Sequence, residues 1–129
     1  MNLLLDTHTL LWLVSTPTNI DSHALAILRD PSTSVFVTAA SAWEIAIKTQ
    51  LGRLDGSTLL SAWADIISDM DVTDLSIDAA DAILAARLPW NHRDPFDRMI
   101  VAQALRRNLT IATGDAQIIS AASTPTLSV

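Results

Sequence analysis

Two periods divide the chain. Short apolar runs alternate with longer stretches in which apolar positions recur every three or four residues, the patterns of strands and helices respectively. Asn2 to Leu5 is an apolar run ended by Asp6-Thr7, and the spacing of Leu10, Leu11, Leu13 and Val14 predicts a helix opening at Thr7. Thr16-Pro17-Thr18-Asn19 is turn chemistry. Asp21 to Arg29 carries Ala24, Leu25, Ile27 and Leu28 on a short helix that Pro31 stops. Val35 to Thr38 is rich in β-formers and predicts the second strand. From Ala39 to Leu51, Ala40, Trp43, Ile47 and Leu51 share one helical face with Glu44 beside it, and Gly52 supplies the stop. Thr58 to Met70 reads as one amphipathic helix, Val72 to Leu75 as a strand, and Ile77 to Leu88 as a helix ended by Pro89. Asp94-Pro95-Phe96-Asp97 opens a helix to about Arg107, with Pro95 suited to its first position. Leu109 to Thr113 is a strand, Ala116 to Ala121 a short helix, and Thr126 to Val129 a last edge strand. Strands alternating with helices predict an α/β fold with a mainly parallel sheet covered on both faces.

Composition narrows the chemistry. A chain of 129 residues, half of them apolar, is long enough to bury one core as a single domain spanning 1–129. It has no cysteine, which excludes disulfides, thiol catalysis and thiolate zinc sites, and fits a reducing cytoplasm. The N-terminus has no basic region before its apolar run and does not read as a signal peptide; no apolar run reaches bilayer length, so no membrane partner is expected. Fourteen acidic against eight basic residues give a net charge of −6, which opposes general electrostatic affinity for nucleic acid. That charge is compatible with a nucleic-acid substrate where several acids gather in one metal-neutralised site.

Asp6 and Asp115 each follow a strand, at the carboxyl edge where ligands bind to open parallel sheets. Asp97 begins a helix whose apolar stripe runs through Ile100, Val101, Ala104 and Leu105, which turns its side chain inward, and Glu44 stands in the same relation to its own helix. Each acid alone is explicable as a helix cap. Asp favours N-caps, Ser41-Ala42-Trp43-Glu44 matches a capping box, and Asp94 with Asp97 is nearly one. Jointly, four carboxylates at one edge repel one another and call for a cation, and Mg²⁺, with its preference for hard oxygen ligands, is the natural candidate. His8, His23 and His92 show no ligand spacing, which argues against zinc. Such a site supports phosphodiester hydrolysis. The chain has neither a phosphate-cradling glycine loop nor a recognisable Ser or Cys nucleophile setting.

The ordered motifs Leu4-Leu5-Asp6-Thr7-His8, Ser41-Ala42-Trp43-Glu44-Ile45-Ala46-Ile47-Lys48, Arg93-Asp94-Pro95-Phe96-Asp97-Arg98 and Thr113-Gly114-Asp115 resemble those of PIN-domain ribonucleases, in particular VapC toxins of type II toxin–antitoxin modules. The resemblance covers essentially the whole chain. It implies a three-layer α/β/α sandwich, Mg²⁺- or Mn²⁺-dependent endoribonuclease activity, an RNA substrate with tRNA and rRNA as candidates, homodimerisation, and a cognate antitoxin that inserts residues at the active site. Asp6, Glu44, Asp97 and Asp115 fall on the family's acidic positions, with Asp94 left as the N-cap. After Asp115 the tail departs from the pattern, Ala116-Gln117-Ile118-Ile119 standing where an aromatic residue and a longer final strand are usual.

Around these acids, Thr7 and Thr113 are placed to position an acid or water, though capping and strand propensity explain them equally. Arg93 and Arg98 flank the third acid and are the candidate phosphate contacts, whereas Lys48, four residues after Glu44, reads as a helical ion pair. Trp12, Trp43, Trp63 and Trp90 read as core or interface anchors, with Trp90 the candidate for a base contact. His8 reads as incidental. The alternative function is a non-catalytic PIN-like protein-binding module whose acids are only caps.

Overall fold

The computed structural model describes residues 1–121 and 124–129. Its elements are β1 (Asn2–Leu5), α1 (Thr7–Ser15), a 3₁₀ turn (Pro17–Asn19), α2 (Ser22–Arg29), β2 (Ser34–Thr38), α3 (Ala39–Gln50), α4 (Ser57–Ser61), α5 (Trp63–Asp69), β3 (Val72–Leu75), α6 (Ala79–Arg87), α7 (Pro95–Arg107), β4 (Thr110–Thr113), α8 (Ala116–Ala121) and β5 (Thr126–Ser128). The strands pair in the order β3-β2-β1-β4-β5, and every pairing is parallel. Among the described residues, no helix is long and apolar enough to cross a membrane.

The leucine run in β1 shows why the sheet is sandwiched. Leu3 and Leu5 point into one core with Val35, Val37, Ile45 and Ala112, while Leu4 points into the other with Ile100, Val101 and Ile111. All three leucines are fully buried, so both faces of the strand are covered, as continuous apolar runs in parallel sheets require. Each contributes on the order of 1.5–3 kcal/mol by leaving water. This is the three-layer α/β/α arrangement.

Two details depart from the sequence pattern. The expected helix from Thr58 to Met70 is two helices, because Ala62 (φ −123°, ψ 28°) leaves the helical region. The break accompanies a hydrogen bond from the Trp63 indole N–H to the Asp74 carboxylate on β3 (2.8 Å), while Leu59 and Ile67 both reach the core. On α3 the buried face is Ala40, Ser41, Glu44 and Ile45; Trp43 and Leu51 are exposed and Ile47 is half-buried. Polar Ser41 and Glu44 tolerate burial because each has hydrogen-bond partners there. Trp43 packs edge-on against Phe96 of α7 instead. At the end of α3, Gly52 adopts φ +73°, the left-handed stop that its position implied.

Candidate metal centre at the carboxyl edge of the sheet

The chain runs outward from β1 through β2 to β3, then crosses to β4 on the other side of β1. Between β1 and β4 the direction of winding reverses, and the loops after these two strands diverge to leave a crevice. Asp6 follows β1 and Gly114-Asp115 follow β4 at that point.

Asp6 is almost fully buried. One carboxylate oxygen accepts the Thr9 N–H (2.8 Å) and caps α1; the other accepts the Thr113 hydroxyl (2.5 Å). The Thr113 oxygen also accepts the Asp115 N–H (2.9 Å), so one hydroxyl ties together the loops after β1 and β4. Asp115, more exposed, accepts the Gln117 N–H at the start of α8. Glu44, projecting from the second turn of α3, receives the Thr7 hydroxyl on Oε1 (2.6 Å) and the Lys48 ammonium on Oε2 (2.6 Å). Because Thr7 has one hydroxyl proton, Ser41 is the donor in its 2.9 Å contact with Thr7. Asp97 stands at the third position of α7, whose N-cap is Asp94, and His92 Nε2 lies 2.7 Å from its Oδ2.

These four acids line one open cavity of about 300 Å³, together with Asp94, Thr7, His8, Trp12, Lys48 and Gly114. Five carboxylates thus face one ammonium there, and that ammonium is already paired with Glu44. Burial, reinforced by the negative charges of Asp94 and Asp115 and only partly opposed by the His92 hydrogen bond, pushes the Asp97 carboxyl up to about 6. A hard divalent cation matches this donor set, because it supplies the positive charge that crowded oxygen ligands lack. Among the described residues, His92, Asp94 and Asp97 also offer ligand atoms within 4.8 Å of one another.

The family model of the PIN domain matches residues 3–123. The chain belongs to the PIN domain family. PIN domains are in general nucleases and in general use a divalent metal. No curated protein matches this one by sequence. Three solved structures share the PIN fold over nearly its whole length. VapBC2 from Rickettsia felis, bound to a DNA fragment from their promoter, is 12% identical with a TM-score of 0.73, covering 99% of this chain and 98% of that one. VapBC-1 from nontypeable Haemophilus influenzae is 15% identical with a TM-score of 0.70 at the same coverages. FitAcB from Neisseria gonorrhoeae is 21% identical with a TM-score of 0.63, covering 97% and 96%. At these identities the likeness is one of fold.

Within this PIN domain, Thr7 and Thr113 touch the acids directly. Arg98 does not fill the phosphate-contact role that its sequence position suggested. Its five N–H groups donate to the carbonyls of Ala85, Ala86, Leu88, Trp90 and His92, and it lies outside the acidic cavity. α6 ends before Pro89 with orphan carbonyls, and the guanidinium satisfies them. Arg93 is exposed. The acid pattern does not mark His92, and His8 and Trp12, expected to be incidental and a core or interface anchor, form an edge-to-face pair at the cavity wall. Capping accounts for only part of the acid set: Glu44 lies inside α3, whose N-cap is Thr38, so the capping box expected from Ser41 to Glu44 is absent.

The raised Asp97 carboxyl makes the metal-free PIN domain pH-sensitive in a defined direction. A carboxyl held above its unfolded value of about 3.9 contributes stability in full below that pH and loses it as pH rises through the folded value of about 6. Thermal melts in EDTA should therefore show a melting temperature that declines from pH 4 to above pH 6, with Mg²⁺ opposing the decline above pH 6 and having little effect near pH 4. Asp97→Asn should flatten both dependences; an unchanged pH profile in that variant would remove Asp97 as their source.

Proposed function

We propose that the protein is a Mg²⁺-dependent endoribonuclease, the toxin of a type II toxin–antitoxin pair, acting as one PIN-like domain of residues 1–129. The observation that carries this reading is the convergence of Asp6, Glu44, Asp97 and Asp115 on one cavity at the β1/β4 reversal of a PIN-family chain. The fold likeness to VapBC and FitAcB supports the toxin assignment and an antitoxin partner. A homodimer in the cytoplasm is the accompanying proposal.

In this reading Asp6, Asp97, Glu44 and Asp115 hold Mg²⁺, with Mn²⁺ able to replace it. When bound, the ion polarises the scissile phosphate and lowers the pKa of the attacking water. The chain's own groups prepare the site. Thr113 and the Thr9 amide fix the Asp6 carboxylate, and Thr7 and Lys48 fix that of Glu44. Exposed Arg93 is the remaining candidate phosphate contact.

The alternative, a non-catalytic binding module with acids as caps, draws support from Asp6 capping α1. Capping leaves the buried carboxylate of Glu44 unexplained, because that side chain accepts from a hydroxyl and an ammonium and from no backbone N–H at a helix start. Purified protein freed of antitoxin should cleave a mixed tRNA and rRNA substrate with Mg²⁺ or Mn²⁺ and should stop in EDTA. Cleavage that persists in EDTA, or none with either metal, would sink the proposal.

A further inference from the structure

The carboxylates of the cavity differ in what holds them. Asp6 is fixed by a backbone amide and the Thr113 hydroxyl, and Glu44 by the Thr7 hydroxyl and the Lys48 ammonium. Asp97 has no such hydroxyl: among the described residues, the hydrogen bond made by its side chain is the one to His92. Both side chains are largely buried, 17% exposed for His92 and 16% for Asp97.

A hydrogen bond positions a carboxylate only if its donor is itself held, and His92 lies in the connection between α6 and α7, outside regular structure. Three features hold it there. Its carbonyl accepts from Arg98 Nη1 (2.9 Å), the same nitrogen that binds the Trp90 carbonyl (2.8 Å). Its ring packs against Trp90 at a centroid distance of 4.9 Å. Trp90 in turn packs against the core that contains Leu4, Ile100 and Ile111. Arg98, one residue after Asp97, thus braces the connection that carries the partner of Asp97.

We propose that His92 is a positioning residue of the metal centre: its Nε2–H holds Asp97 Oδ2 and leaves Oδ1 free to take the cation. This rests on the reading of the acids as a cation site. Groups that orient a metal-binding side chain typically change metal affinity by 10- to 100-fold when removed.

The test compares wild type, His92→Ala and His92→Gln, whose amide can donate from a similar position. Mn²⁺ binding to the metal-free proteins is measured by calorimetry alongside thermal melts, and the His92 tautomer is read by ¹⁵N NMR without metal. Wild type should bind Mn²⁺, His92→Ala should bind about 10- to 100-fold more weakly, and His92→Gln should recover most of the loss, with similar melting temperatures throughout. The NMR should show the neutral ring protonated on Nε2, a preference lost in Asp97→Ala. Wild-type affinity in His92→Ala would overturn the proposal while leaving the metal reading standing. A His92→Gln variant as weak as His92→Ala would overturn it too, because the imidazole would then act as a ligand or by packing. No Mn²⁺ binding by wild type would bring down the metal reading itself, and this proposal with it.

Discussion

Asp6→Asn is expected to lower metal-dependent RNA cleavage by about a thousandfold while leaving the melting temperature within a few degrees of wild type. The two readouts separate because Asp6 has two roles that this substitution divides. As an N-cap, Asn is nearly equivalent to Asp, and its oxygen can keep the Thr9 N–H. The amide nitrogen then faces Thr113, whose hydroxyl can rotate to accept instead of donate. The negative charge, however, is lost from the most buried aspartate of the cavity. Metal-ion stabilisation of developing charge is worth several kcal/mol, and each ~1.4 kcal/mol is a tenfold change in rate. Single-turnover cleavage of labelled RNA with a parallel thermal melt makes the comparison. A large fall in melting temperature with modest loss of cleavage would identify Asp6 as a cap first.

The acids differ in how far local sequence marks them. Asp6 and Asp115 were legible because a short apolar run followed by an acid marks a strand end, and in a parallel sheet strand ends share an edge. Asp97 was legible as the start of a helix whose stripe continues through Ile100 and Val101, both buried. For Glu44, order along the chain groups it with the other acids, but the helical face expected for α3 differs from the one observed. A rule that buries large apolar residues favours Trp43 and Leu51, yet the structure exposes both and buries Ser41 and Glu44, whose partner Thr7 lies 37 residues before Glu44. No local period carries that contact. The contacts of His92 and Arg98 are hidden from the sequence for a related reason. Arg98 follows Asp97 directly while His92 precedes it by five residues, so adjacency suggests a phosphate contact for Arg98 and nothing for His92. The fold turns the connection back so that His92 meets Asp97 and Arg98 meets the end of α6. Pro89 carries part of the signal: a helix stopped there leaves carbonyls that need donors, and a guanidinium offers five, but Arg87, Arg93 and Arg98 all lie near and only the fold selects Arg98.

The largest stability effect is expected far from the cavity, at Asp81. Its fully buried carboxylate accepts from Arg106 (2.5 Å), Arg107 (2.8 Å), Gln103 (3.1 Å) and the Asp78 N–H (3.1 Å), joining the first turn of α6 to the last turns of α7. Burial raises this carboxyl, but the hydrogen bonds from Arg106, Asp78, Gln103 and Arg107 outweigh it and hold the group well below the usual carboxylate range. Removing one partner of a buried ion pair costs ~3–5 kcal/mol. Both arginines are about a third exposed and can rehydrate, so Asp81→Ala should cost near the lower end, about 3 kcal/mol, or roughly 10 °C in melting temperature for a domain of this size. The sign with pH is opposite to that of Asp97. A depressed carboxyl contributes its stability above the unfolded value of about 3.9 and loses it as pH falls, so the gap between wild type and Asp81→Ala should be full at pH 7 and close below about pH 4. Cleavage per folded molecule should be unchanged, because α7 keeps its Asp94 cap and Asp97 at the opposite end. A gap that stayed constant down to pH 3 would mean that lost packing, rather than the buried charge, accounts for the effect.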